Sequence, residues 1–389
     1  MLRMQRTREY FLYRIENFSP SWFAMTMGVG MAGSLLVDYP YPAEYLRRLG
    51  IAFWGTGTVL FVIFTIFTVL RLLLFPSKFK MSLLHPTQSL YWGCMPMGLC
   101  PIITDAVGIF GAKAVWACYV LWWIDVVLAL LCAWLMVFVG FARNTRLRPA
   151  DLNAVILLPV VTLVLCASTG SILVEYLPDN WRPHMIILCA LCWGNGELLA
   201  FLFTGVYVWR LLTHGLPARE SVTSCFLPIG PLGQGAYGFL INAVNLENYL
   251  TAHDYPALAS VPVFKYIGCA VAIFMVGLAT FWLVMAVFAC IYHRPRVFGL
   301  GWWGLTFPPG TYALATRQLG EVLDIEGFRV VSALVGTAVV FIVFFLILTT
   351  FYYGVVRPNA FKAAETELSG NVEKVKRESE SDLTQTDMV

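Results

Sequence analysis

The feature that most limits this chain is the recurrence of apolar runs along nearly its whole length, each about 20 residues long and so matched to the hydrocarbon thickness of a bilayer. Ten runs can be read, at about 18–38, 50–75, 87–111, 114–141, 151–176, 184–212, 225–246, 262–292, 301–320 and 328–354. Only 13% of the 389 residues are charged, against about 25% in soluble domains. The expected fold class is an all-α polytopic membrane protein. Residues 1–17 read as a cytoplasmic N-terminal segment, 18–356 as a ten-span transmembrane domain, and 357–389 as a disordered cytoplasmic tail rich in Glu, Lys, Ser and Thr. Most connections are shorter than a span, which leaves no space for a soluble catalytic domain. Met1 to Asn17 is charged and aromatic with no cleavage pattern after it, so the first span is expected to act as the insertion signal.

The runs are not equivalent. Proline lies in or beside every odd-numbered one: Pro20; Pro96 and Pro101; Pro159; Pro228 and Pro231; Pro308 and Pro309. The odd runs also hold the small and hydroxylated residues, among them Gly28, Gly30, Thr162, Ser168, Gly233 and Gly238. The even runs are Phe, Val, Leu, Ile and Trp. Proline removes a backbone donor and clashes one turn back. In lipid such a break is tolerated only against protein or a watery cavity. Five helical hairpins are therefore expected, with kinked odd helices around a central pore and straight even helices outside facing lipid. The break is sharpest in Gly301–Thr311, where Phe307 stands just before two prolines and is expected to project into the space the segment lines.

Charge sets the orientation. With both termini in the cytoplasm, Arg47, Arg48, Lys113, Arg182, Lys265, Arg317 and Arg329 fall outside, and the other nineteen of the 26 lysines and arginines fall inside. A net charge of +3 gives no reason to expect a nucleic-acid partner. Nine of the ten cysteines sit within apolar runs and read as small core residues. No phosphate loop or His-x-x-x-His pair is present, so neither a cofactor nor a metal is expected, and the chain does not read as an enzyme or an ATP-driven pump.

Asp125 and Glu197 are the ionisable groups deepest in spans, and intramembrane acids are candidates for function by default. Both lie on even runs, so a structural brace and a proton-coupling role stand side by side. No lysine or arginine falls mid-span on an odd run. A permeating anion would be held by hydroxyls, by amides freed at the proline breaks and by helix N-terminal dipoles. The residues expected to line such a path are Pro20, Gly28, Gly30, Pro96, Thr162, Ser168, Gln234, Thr306 and Pro308. Arg71, Lys78, Lys80 and Arg210 are placed at the inner mouth, where basic groups steer anions.

Several stretches resemble the tellurite-resistance/dicarboxylate transporter family, the fold group that includes the plant slow anion channels. They are Asn17-Phe-Ser-Pro-Ser-Trp-Phe23 with Met27-Gly-Val-Gly30, His85-Pro-Thr-Gln-Ser-Leu90, Trp122-Trp-Ile-Asp125, Leu227-Pro-Ile-Gly-Pro-Leu-Gly-Gln-Gly235 and Trp302-Trp-Gly-Leu-Thr-Phe-Pro308. Within that family the wording is most similar to fungal sulfite efflux pumps, with malate permeases as the alternative. The resemblance implies a five-hairpin barrel whose pore is occluded by an aromatic gate at Phe307. It also implies a small inorganic anion as substrate, contact with membrane lipid, and a homo-oligomer, by resemblance a trimer. The expected activity is ATP-independent efflux of sulfite or bisulfite across the plasma membrane. A proton-coupled dicarboxylate permease and a nitrate or chloride channel remain alternatives.

Overall fold

The computed structural model describes residues 11–142, 149–253, 263–295 and 298–353. The expected tail at 357–389 and the first ten residues lie outside them. Two compact units are distinguished, Met1–Val343 and Phe344–Val389. Among the described residues all regular structure is helical. The α-helices are α1 (Phe23–Val37), α2 (Glu44–Leu74), the short α3 (Pro76–Leu84), α4 (Cys94–Phe110), α5 (Val115–Leu130), α6 (Leu158–Val174), α7 (Arg182–His214), α8 (Ile229–Ala252), α9 (Val263–His293), α10 (Phe307–Val322) and α11 (Glu326–Phe351). A π-helical turn, Leu131–Met136, carries α5 on toward Ala142.

Eight helical segments among the described residues are long and apolar enough to cross a membrane. The two further expected spans, the seventh and ninth, correspond to α8 and α10. These are helices too, but Gly, Gln, Asn and charged residues dilute their apolar character. Their largely buried surface explains why they need less of it: a helix shielded by other helices meets little lipid.

The prolines act differently from the expected mid-span kinks. Each of the five proline-bearing runs opens on a short 3-10 turn: Pro20–Trp22 before α1, Gln88–Gly93 before α4, Ala154–Leu157 before α6, Val222–Phe226 before α8 and Leu300–Leu305 before α10. Pro159 and Pro308 then occupy the first turn of α6 and α10, where no intrahelical N–H is needed. The apolar run is thus a 3-10 lead-in followed by a helix that starts partway along it. Pro101 of α4 is a proline that does lie inside a helix.

α1, α4, α6, α8 and α10 touch in cyclic order, and α10 returns to α1. Each contact is close enough to demand glycine. A Cβ on Gly28 would lie 2.5 Å from Thr306 Oγ1, and one on Gly238 would lie 2.5 Å from Ser168 Cβ. Gly30 meets Pro101, Gly93 meets the Leu158 carbonyl and Gly233 meets Thr311 in the same way. Of the apolar stretches that begin the chain, those containing α1, α4 and α6 are 78%, 67% and 94% buried, whereas those of α2, α5, α7, α9 and α11 are 22% to 33% buried.

The peripheral helices brace the ring through polar side chains. Trp54 of α2 donates to the Ile102 carbonyl of α4 at 3.1 Å, Trp122 of α5 to Cys166 of α6 at 2.8 Å, and Trp193 of α7 to Gly235 of α8 at 2.9 Å. Thr280 of α9 pairs with the Tyr312 hydroxyl of α10 at 3.0 Å, and Ser332 of α11 donates to the Ala313 carbonyl at 2.7 Å. In a low-dielectric interior such bonds have no water to compete with them.

All ten cysteines are free, and eight are buried.

Candidate functional site

A cavity of about 430 Å³ lies inside the ring. Every residue lining it comes from α1, α4, α6, α8, α10 or the residues that directly follow α1 and α6. One end holds Met31, Cys100, Leu165, Gln234 and Phe307; the other holds Asp38, Gly108, Glu175, Asn248 and Glu321. Numbering rises in the same sense along all five helices, so they run parallel. From Phe307 to Glu321 the cavity follows about 20 Å of helix at 1.5 Å per residue. Five N-terminal helix ends, each with partial positive charge, therefore stand on the Phe307 side.

Phe307 is 5% exposed and forms part of the buried end. Behind it in sequence, the fully buried Trp303 packs on Gly28. The more exposed end is acidic: Asp38, Asp105, Glu175 and Glu321 border it, and among the described residues lining it Arg317 is the one lysine or arginine. Arg317 is itself held by Glu321 at 2.9 Å and Asp38 at 3.6 Å.

Four side chains of the lining have buried polar atoms without a hydrogen-bond partner: Asp105 Oδ2, Thr169 Oγ1, Gln234 Oε1 and Arg317 Nε. Ser34 donates to the other Asp105 oxygen at 2.7 Å. Gln234 Nε2 donates to Ser168 Oγ at 2.5 Å. Buried polar groups are ordinarily satisfied, so four on the lining of one cavity mark a place for a polar occupant.

Of the residues expected to line an anion path, Gln234 and Phe307 border the cavity. Ser168 stands directly behind Gln234. Gly28, Gly30, Thr306 and Pro308 sit at contacts between ring helices. The Thr306 hydroxyl donates to the Trp303 carbonyl at 2.6 Å. Thr162 donates to the Pro159 carbonyl at 2.7 Å and toward Ala129 of α5 at 3.2 Å, away from the cavity. Pro20 begins the first lead-in turn, and Pro96 is buried in the first turn of α4.

Neither Asp125 nor Glu197 lines the cavity. Asp125 reaches from α5 between two ring helices, where Oδ2 accepts the thiols of Cys100 at 3.2 Å and Cys166 at 2.9 Å. Glu197 is buried on α7 against Gly235 and Met275, and its Oε2 has no hydrogen-bond partner. Two of the four basic residues assigned to the inner mouth do other work. Arg71 is buried and donates to the carbonyls of Phe18 and Lys78; Arg210, also buried, donates to those of Gly215 and Ala150.

Sequence reasoning passed over Asp105, Thr169 and Arg317 as cavity residues. A signal was present: Thr104, Asp105 and Gly108 on one helix and Arg317, Gln318 and Glu321 on another recur at three- and four-residue spacing, which is one polar face.

The model of the SLAC1 family, described as voltage-dependent anion channel, matches residues 17–351. The chain belongs to that family. Its relatives include transporters of more than one anion. The sulfite efflux pump SSU1 of Arthroderma otae is 31% identical over 326 residues, covering 82% of this chain and 86% of that protein. The sulfite efflux pump SSU1 of Saccharomyces cerevisiae is 25% identical, covering 82% and 83%. The malic acid transport protein of Schizosaccharomyces pombe is 23% identical, covering 83% and 75%. These SLAC1-family relatives are transporters by name, in keeping with a chain that is not an enzyme.

Proposed function

We propose that this chain exports sulfite, as bisulfite, across the plasma membrane through the centre of the helical ring. The observation that carries the reading is the cavity enclosed by five parallel helices, taken with the sulfite efflux pump that is 31% identical over most of both chains. α8 and α10 complete ten spans, arranged as five hairpins with both termini in the cytoplasm. The chain works as a homo-oligomer, a trimer, with one pore in each copy.

In this orientation the five helix N-termini face the cytoplasmic half, where their dipoles draw an anion toward Phe307 without placing a full charge in its way. Phe307 is the gate: its ring separates the inner approach from the outer cavity and must turn aside for passage. Beyond it the anion meets Asp38, Asp105, Glu175 and Glu321 against Arg317, a balance that favours release over recapture. No ATP is needed. A membrane potential negative inside contributes about 2.3 kcal/mol per charge per 100 mV to the exit of an anion.

The test is sulfite survival. Expressed in cells that lack a sulfite exporter, the chain should restore growth on sulfite, with labelled malate uptake measured in parallel. Malate uptake without sulfite resistance would replace this reading with the dicarboxylate alternative.

A further inference from the structure

Gln234 is oriented by its neighbours, and the orientation has chemical content. Ser168 has a single hydroxyl proton, which it donates to the Leu165 carbonyl at 2.9 Å. Its oxygen can then only accept from Gln234, so the amide must turn Nε2 toward Ser168, at 2.5 Å. That leaves Gln234 Oε1, a pure acceptor, without a partner on a side chain that borders the cavity. Gln234 and Ser168 are 6% and 0% exposed, so neither is free to swing into solvent. Asp105 repeats the pattern nearer the exposed end: Ser34 donates to Oδ1, and Oδ2 is left without a partner.

An unpartnered acceptor on a side chain that borders an anion path is paradoxical unless the occupant brings its own proton. A halide, nitrate or fully deprotonated oxyanion has nothing to donate, and would leave Oε1 unsatisfied or repelled. A singly protonated oxyanion has both kinds of group. Its O–H donates to Gln234 Oε1, and its charged oxygens accept from a hydroxyl such as that of Thr169, which is also unpartnered and borders the cavity.

We infer that Gln234, held by Ser168, is a specificity-determining residue that selects anions carrying a hydroxyl proton, so that the cavity takes bisulfite in preference to the sulfite dianion or chloride. The inference rests on the proposed transport of sulfite and names the protonation state that is carried. No bond is made or broken: the proton stays on the ligand as it passes.

The experiment uses full-length protein in proteoliposomes, with labelled bisulfite and chloride fluxes measured under one membrane potential and one pH. Ser168→Ala keeps the Cβ that packs on Gly238 and removes only the oxygen that fixes the amide. The freed amide can then present Nε2–H to the path, and the chloride-to-bisulfite flux ratio should rise on the order of tenfold, the effect of one unmade hydrogen bond in a buried site. Gln234→Met removes the acceptor while keeping length, and should lower bisulfite flux while chloride flux rises or holds, so that the chloride-to-bisulfite ratio again goes up. Monodisperse variants with the wild-type ratio would overturn the selection by Gln234 while leaving sulfite export standing. A wild-type protein that moves no bisulfite would overturn both.

Discussion

Asp125 Oδ2 accepts the Cys166 thiol at 2.9 Å and, on its other flank, the Cys100 thiol at 3.2 Å. One carboxylate on a peripheral helix thus ties together α4 and α6, two neighbours in the ring, and it does so without lining the cavity. Removing it leaves two buried thiols without an acceptor and a void beside Trp122. Asp125→Ala should therefore destabilise the protein by about 1–3 kcal/mol, read as a Tm lowered by several degrees in detergent. Asp125→Asn keeps an acceptor oxygen in place and should recover most of that loss. Wild-type flux in Asp125→Asn would identify the residue as a brace; loss of flux at wild-type Tm would count against it.

Glu197 supplies the contrasting case. It lies on α7, is buried, and faces Gly235 from outside the ring, one residue along from Gln234 but not in the cavity. A proton carried with the substrate needs a titrating group that touches the path, and Glu197 does not. Glu197→Gln should leave both the flux and its dependence on pH unchanged in proteoliposomes. A flattened pH profile would revive proton coupling, and with it the dicarboxylate reading.

Phe307 borders the buried end of the cavity, with Trp303 and Gly28 packed just before it. Phe307→Ala should raise basal leak of anions severalfold, because the ring is what separates the two halves of the path. A Phe→Ala change in a closed core costs about 3–5 kcal/mol. Here one face of the ring already borders open space, so the loss in stability should fall below that range. Flux measured at equal reconstituted protein checks the first point and thermal unfolding the second; an unchanged flux would remove Phe307 as the gate.

Which helices are buried could be read from the chain because composition is forced at the contacts. Positions such as Gly28, Gly233 and Gly238 admit no side chain against the neighbouring ring helix, and the peripheral helices have such glycines only where they touch the ring, as at Gly50, Gly196 and Gly268. The role of the prolines was harder to read. A proline in an apolar run signals a break, but Pro159 and Pro308 lie where a 3-10 lead-in becomes a helix, and sequence alone does not separate a kink from a start. The direction of hydroxyls was hardest. Thr162 and Thr306 each bond a carbonyl three residues back, an option open to any threonine in a helix, so a hydroxyl in a ring helix is not thereby a group facing the cavity. Asp105 stood close to a span end in the linear pattern and reads there as an ordinary interfacial acid. Only the fold shows that α1, through Ser34, closes over it.

The turn that leads into α4 carries a pH-sensitive contact outside the spans. His85 Nδ1 accepts the backbone N–H groups of Thr87 and Gln88, both at 3.2 Å, which requires an unprotonated nitrogen. Burial lowers the pKa of His85 below its ordinary value of 6.5. The folded protein therefore binds this proton less readily than the unfolded chain does. Above pH 6.5 both states are neutral at this site and the stabilising contribution is complete. As the pH falls below that value the unfolded chain takes up the proton first, and the contribution is progressively lost through the folded pKa. Tm should accordingly drop between about pH 7.5 and about pH 5, a window set by histidine titration. His85→Asn retains an acceptor oxygen for the two N–H groups and does not titrate. It should lower the size of that drop while leaving Tm near the wild-type value at the higher pH. An equal drop in the variant would assign the acid sensitivity to other groups.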